Sequence, residues 1–267
     1  MSLAFFEDII QEAKQFTNEI ACHVMGDPLT LSNLSEYLDI LYRHQMRAIL
    51  TTSGYFVAKQ REKSLFHPAI KQINISLNAF NKNDTSLSFE EYMEPILALC
   101  HAKIEQKVES FINLRLWNLD EAMSEKQFNR MLFMLLAQRF DVALDLTKIN
   151  PKKSKSIRLG YKVLLHFDNY FEWPSLKNPK YGHGTCQGLH SHIGILANGD
   201  VIPCCLDGEA VMRLGNLKEQ SLQRILDSQR AIDMREGFAQ DYCSEELCLR
   251  CSYKERFNSS SVLKELL

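Results

Sequence analysis

Along the first 170 residues two spacings of apolar side chains alternate. Short apolar runs at 19–25 (EIACHVM), 46–52 (MRAILTT), 71–77 (KQINISL), 111–117 (FINLRLW) and 161–167 (YKVLLHF) predict buried β-strands. Between several of them the spacing becomes helical. Leu31, Leu34, Leu38 and Leu41 share one face over 31–44, and Phe6, Ile9, Ile10, Ala13 and Phe16 share one over 3–16. Ser88 with Glu91, and Ser124 with Gln127, are spaced as capping boxes and predict helices reaching about residues 106 and 138. Repeated strand–helix units imply an α/β fold with a parallel sheet and crossover helices. The five strands are too few for a complete eight-stranded barrel.

This rhythm breaks at EWPSLKNPKYGHG, residues 172–184, which is rich in Pro, Gly and Lys. A domain boundary there divides the chain into 1–175 and 176–257, with a tail at 258–267. Past the boundary, an alternating strand at 192–196, the turn Asn198–Gly199 and a second short strand predict a β-hairpin, followed by a helix over 219–235.

Composition narrows the classes without choosing one. The apolar share of 45%, charged share of 24% and net charge of −2 are those of an ordinary globular protein. No broad basic stripe points to nucleic acid, and no apolar run reaches the roughly 18 residues of a membrane span. The start, MSLAFFEDIIQEAKQF, has neither a basic leader nor a cleavage site, so the cytoplasm is the expected compartment.

Six of the eight cysteines fall in two C-terminal segments. Cys186 precedes Cys204 by seventeen intervening residues, Cys205 is adjacent, and Cys243, Cys248 and Cys251 follow. In a reducing compartment such a cluster points to metal binding or redox chemistry rather than disulfides. Cys248 and Cys251 form a C-x-x-C pair suited to one metal centre, and the hairpin could bring Cys186 and Cys204 to it. Only one of Cys204 and Cys205 would face the site if that segment is extended. Cys243 is either a substitute ligand or a small buried hydrophobe, and isolated Cys22 and Cys100 read as core residues. Zinc on thiolates with His183, His190 or His192 is the competing reading. The C-x4-C-x2-C spacing at 243–251 lacks the further cysteine that a plant-type ferredoxin would need.

Four features together carry a resemblance: C-x12-G-x4-C at Cys186, Gly199 and Cys204; GDVIPCC at 199–205; LGNL at 214–217; and the terminal C-x-x-C. They resemble the SPASM/twitch region that follows the barrel of many radical S-adenosylmethionine (radical SAM) enzymes. The shorter twitch form would hold one auxiliary 4Fe-4S cluster on Cys186, Cys204, Cys248 and Cys251, with Cys205 and Cys243 as substitutes. In the first domain, HVMGDP (23–28) resembles the segment whose backbone receives the methionine amino group of S-adenosylmethionine. Met25 stands there at the family's first glycine and Asp27 at its glutamate, followed by Pro28, with Gly26 between Met25 and Asp27. TTSG (51–54), ISLNAF (75–80) and NLRLWN (113–118) resemble later strand ends of that family, which puts Thr52, Ser53, Ser76, Asn78 and Arg115 at the cofactor. The implied fold is a partial (β/α)6 TIM-like barrel followed by a small α+β domain.

The resemblance further implies a peptide or small-molecule substrate and a reductase as electron donor. It departs at one place. The catalytic cluster of the family hangs on C-x3-C-x2-C after the first barrel strand, and that motif does not occur in these 267 residues. The expectation is a barrel without its first strand, in which the intact protein cleaves S-adenosylmethionine to a 5′-deoxyadenosyl radical and this chain alone is inactive. The alternative class is a non-catalytic iron–sulfur or zinc-stapled scaffold or binding protein.

Overall fold

A computed structural model describes residues 1–60, 62–82, 86–118, 125–150, 154–168 and 171–257. Ser124 and the tail at 258–267 lie outside the described residues. The chain forms two units, one of Lys14–Tyr170 and one that joins Met1–Ala13 to Phe171–Leu267.

In chain order the elements begin with α1 (Leu3–Ala13), β1 (Glu19–Cys22), α2 (Leu34–Arg43), β2 (Arg47–Thr52), α3 (Glu62–Leu65) and β3 (Ile70–Ser76). They continue with α4 (Phe89–Glu105), β4 (Phe111–Leu116), α5 (Lys126–Phe140), β5 (Ser156–Gly160) and β6 (Val163–Phe167). The sheet order is β1-β2-β3-β4-β6-β5. Every pair is parallel except β5 with β6, so five parallel strands end in one antiparallel edge strand. Consecutive parallel strands lie side by side because a helical crossover returns the chain to the same end each time.

All five strands expected from the apolar runs are present. Their two faces differ, however, which the runs did not reveal. Ala48, Leu50, Ile73, Ile75, Ile112, Leu114, Leu116, Val163, Leu165 and Phe167 occupy one face and are fully buried. Alternate positions carry Thr51, Gln72, Asn74, Ser76, Asn113, Arg115 and His166, all half-buried.

Helix starts follow local chemistry. The Ser88–Glu91 capping box forms as expected: the Glu91 N–H donates to Ser88 Oγ at 3.2 Å and the Ser88 N–H to Glu91 Oε2 at 2.7 Å. α2 begins at Leu34 rather than 31, because Pro28–Thr30 form a 3₁₀ turn capped by Asp27 and Leu31 is left outside the helix. α1 ends at Ala13, so Phe16 is exposed and does not join the buried face of Ile9, Ile10 and Ala13.

The second unit holds β7 (Gly194–Ile195), β8 (Asp200–Ile202) and β9 (Gly215–Asn216) in one antiparallel sheet. The expected hairpin is β7–β8, and LGNL supplies the third strand. The helix expected at 219–235 is broken into α6 (Leu222–Leu226) and α7 (Gln229–Ala239). Ser221 and Ser228 each cap a new N-terminus, accepting from the Arg224 and Ala231 N–H groups at 3.4 Å. A last short helix, α8 (Glu246–Leu249), carries Cys248.

Candidate metal centre and strand-end site

The hairpin turn depends on Gly199. Its φ is +97°, and a Cβ there would stand 2.8 Å from the Phe5 ring of α1 and 2.9 Å from Asn216 Oδ1. Next to it the Asp200 carboxylate accepts from Asn198 Nδ2 at 2.7 Å, from Asn216 Nδ2 at 2.9 Å and from Arg213. These bonds, led by that from Asn216, hold its carboxyl below the usual range. They tie the hairpin to β9 at the start of β8, and Cys204 follows two residues beyond the strand's other end.

Residues 203–206 form a bend and turn rather than continuing β8, so strand alternation does not separate Cys204 from Cys205. A Cβ built on Gly188 would lie 3.8 Å from both Cys186 Sγ and Cys204 Cβ, which places those two cysteines side by side. The Gly188 N–H donates to Cys186 Sγ at 3.4 Å. Cys186 and Cys248 pack against an apolar cluster of Leu189, Met212, Ala231, Met234, Phe238, Cys243 and Leu247.

Burial pushes the Cys204 thiol up to about 12, and the charges of Cys205, Cys186 and Cys251 add to the shift. Cys248 is pushed up as well, by burial first and then by Cys204, Cys243, Cys186 and Cys251. Thiols that raise one another's pKa are close neighbours, and a bound cation reverses this mutual penalty. Among the described residues, no three His, Cys, Asp or Glu side chains close on the geometry of a single metal ion. His190 and His192 are exposed, and His183 Nδ1 already accepts the Cys243 N–H at 3.2 Å. Cys100 is fully buried in α4 and Cys22 lies on β1, both with thiols pushed up by burial, to about 12 and about 11.

In the sheet unit, the residues singled out in the sequence gather at the C-terminal ends of the parallel strands. Asp27 Oδ2 accepts from Thr52 Oγ1, the Ser53 N–H and Ser53 Oγ, each at 2.8 Å, while Oδ1 accepts the Leu29 N–H at 3.0 Å. One carboxylate thus clamps the loop after β1 to the end of β2. Gln60 Nε2 secures the same loop through the carbonyls of Leu29 and Leu31, at 2.8 and 3.0 Å. Met25, just before the clamp, has a φ of +50°, a backbone that glycine adopts without strain. A Cβ on Gly26 would meet no atom within 4 Å, so the backbone there is open to a close-approaching ligand. Pro28 opens the 3₁₀ turn.

Gly54 is again a forced choice: at φ +92° a Cβ would stand 2.7 Å from Tyr92 Oη, which donates to the Ser53 carbonyl at 2.6 Å. Ser76 pairs with Arg115 across β3 and β4, and Arg115 pairs with His166 across β4 and β6. The Arg115 guanidinium stacks 3.5 Å from the centre of the Trp117 ring. Asn78 lies in the 3₁₀ turn after β3.

Deeper on this face lies an amide chain that the sequence reading did not single out. Gln72 Nε2 and Asn113 Nδ2 both donate to Asn74 Oδ1, at 2.8 and 3.2 Å, and Asn74 Nδ2 donates to Thr51 Oγ1 at 3.3 Å. His166 is pushed down, first by burial and then by Arg115. The period-two polar positions inside QINIS and INLRL were the available signal.

Residues 186–252 match the sequence model of the SPASM family, an iron–sulfur cluster-binding domain. They are a SPASM domain. No curated protein matches the chain. Among solved structures, BtrN in complex with AdoMet and 2-DOIA is similar at 15% identity and a TM-score of 0.55, covering 94% of this chain and 80% of that one. Native anSMEcpe with bound AdoMet and Cp18Cys peptide is similar at 14% identity and 0.55, covering 95% and 79%. Streptococcus suis SuiB bound to S-adenosylmethionine is similar at 14% and 0.51, covering 94% and 64%. The likeness is one of fold: a mixed α/β architecture with a six-stranded sheet, followed in this chain by the SPASM match. The matched residues include the hairpin, LGNL and the C-x-x-C pair. Among the described residues, no helix is long and apolar enough to cross a membrane.

Proposed function

We propose that this chain is the partial barrel and auxiliary-cluster part of a radical SAM enzyme, with Cys186, Cys204, Cys248 and Cys251 holding one 4Fe-4S cluster. The supporting observation is the SPASM match over the same residues whose thiols lie in one another's field. The donor set fits the group: thiols are the natural ligands of iron–sulfur clusters, and desolvated ones are stabilised when a cation replaces their protons. In the intact enzyme it is the separate catalytic cluster, on a C-x3-C-x2-C motif, that would supply the electron for cleaving S-adenosylmethionine.

The chain's own residues bind and orient. In this reading the open backbone at Gly26 receives the cofactor's amino group, while Asp27 keeps Pro28, Thr52 and Ser53 in place. Ser76, Asn78 and Arg115 take its ribose and carboxylate. The polar sheet face beyond them offers amides and hydroxyls to the substrate. A peptide is the favoured class, since the similar anSMEcpe structure holds one. A reductase is the expected electron donor.

Anaerobic reconstitution tests the centre. About four iron and four sulfide per chain are expected, and one zinc per chain would overturn the reading. Because the chain contains no C-x3-C-x2-C, the reduced protein is expected to release no 5′-deoxyadenosine above a control without enzyme; product above that level would refute its inactivity.

A further inference from the structure

The SPASM segment has more cysteines than one cluster requires, and the geometry points to a different task for Cys243. We propose that Cys243 is a positioning residue that clamps the segment presenting Cys186, and that it is not a ligand. The proposal rests on the cluster reading above for what Cys186 does, but the clamp itself is visible without a cluster.

Cys243 is 1% exposed and sits inside the apolar cluster against which Cys186 and Cys248 pack. Its thiol donates to the Gly184 carbonyl at 3.4 Å. Its backbone N–H donates to His183 Nδ1 at 3.2 Å. The His183 ring in turn stacks on Tyr242, with centroids 4.4 Å apart and planes 16° from parallel. Residues 242 and 243 therefore grip residues 183 and 184 at three points, two residues before Cys186.

Farther along the same two strands of chain, the Tyr181 N–H donates to the Leu249 carbonyl at 2.8 Å, next to Cys248. The segment delivering Cys186 is thus laid along the segment delivering Cys248 and Cys251, and Cys243 pins one end. Ligation by Cys243 would spend the thiol proton, break the bond to Gly184 and release the segment that brings Cys186. A buried N–H or C=O left without its partner is costly, so the clamp and a ligand role exclude each other.

Cys243→Ala, Cys243→Ser and Cys248→Ala in the full chain test this. After anaerobic reconstitution, both Cys243 variants are expected to keep wild-type iron content and an unchanged electron paramagnetic resonance spectrum, while Cys248→Ala loses the cluster. Iron release to a chelator should be about fivefold faster in Cys243→Ala, the worth of one hydrogen bond. The serine hydroxyl should restore it. In the cluster-free chain, amide hydrogen exchange over 181–188 should speed up in Cys243→Ala and return in Cys243→Ser. Iron loss equal to that of Cys248→Ala, or altered g-values, would make Cys243 a ligand. Unchanged exchange in Cys243→Ala would remove the clamp, whether or not iron is taken up. If wild-type chain takes up no iron while the exchange difference persists, the cluster reading fails and the clamp stands.

Discussion

Asp27 shows how much one side chain can organise. Its carboxylate takes four donors from two strand-end loops. Asp27→Ala strands those donors, and the expected loss is about 2 kcal/mol in urea unfolding; a change within error would mean that water replaces the carboxylate. Gly199 is tested differently. Gly199→Ala forces a Cβ into the Phe5 ring at a positive φ, at an expected cost of about 2 kcal/mol. Pairing it with Phe5→Ala should recover about half of that, since the two changes share one contact. Strict additivity would place the strain in the backbone alone. At this scale the sequence was informative where chemistry is local. Gly199, Asp27 and the cysteine segments stand out by residue type and spacing. The clamp by Cys243 does not, because it depends on which carbonyl takes its proton, and Gly184 is remote in sequence.

Among the elements, β1 to β4 and β6 follow from apolar runs, and α4 follows from its capping box. β5 was missed because SIRLG carries no distinctive pattern; it is a strand by virtue of pairing with β6 through the Tyr161–Lys162 turn, where Lys162 has a φ of +54°. The polar face of the sheet was hidden by reading each run as uniformly apolar. α6 and α7 were merged because two serine caps within one amphipathic stretch look like ordinary polar positions. One element junction has a pH signature. Lys103, on α4, is fully buried and donates to the carbonyls of Val108 and Tyr161 at 2.8 and 2.7 Å. Burial, with Lys162 adding and Glu109 opposing, pushes it down to about 8 from its ordinary 10.5. Between those values the unfolded chain holds more protons than the folded one, so stability rises with pH across that window. Lys103→Met should flatten the rise in urea midpoints between pH 8 and 10; an unaltered slope would assign it to another group.

For the whole molecule, the division into units is not a division of the chain into two consecutive pieces. α1 belongs with residues 171 onward: Phe5 lies against Gly199, Lys218 sits over the Phe5 ring at 5.2 Å, and Glu12 accepts the Leu222 N–H at the start of α6. Deleting residues 2–13 should therefore destabilise the SPASM unit, seen as faster proteolysis at 194–226, while the sheet of 14–170 keeps its exchange protection. Equal loss in both units would refute that separation. This also bears on the order of assembly during synthesis. α1 leaves the ribosome about 200 residues before its partners on α6, and by then the whole sheet unit has had time to fold. Its contacts with Gly199, Lys218 and Leu222 are unmade throughout that interval. The nascent chain thus passes through a stage in which a finished sheet trails a helix awaiting its dock, and a slowed ribosome between residues 171 and 222 would lengthen the time in which chaperones or neighbouring chains can capture it.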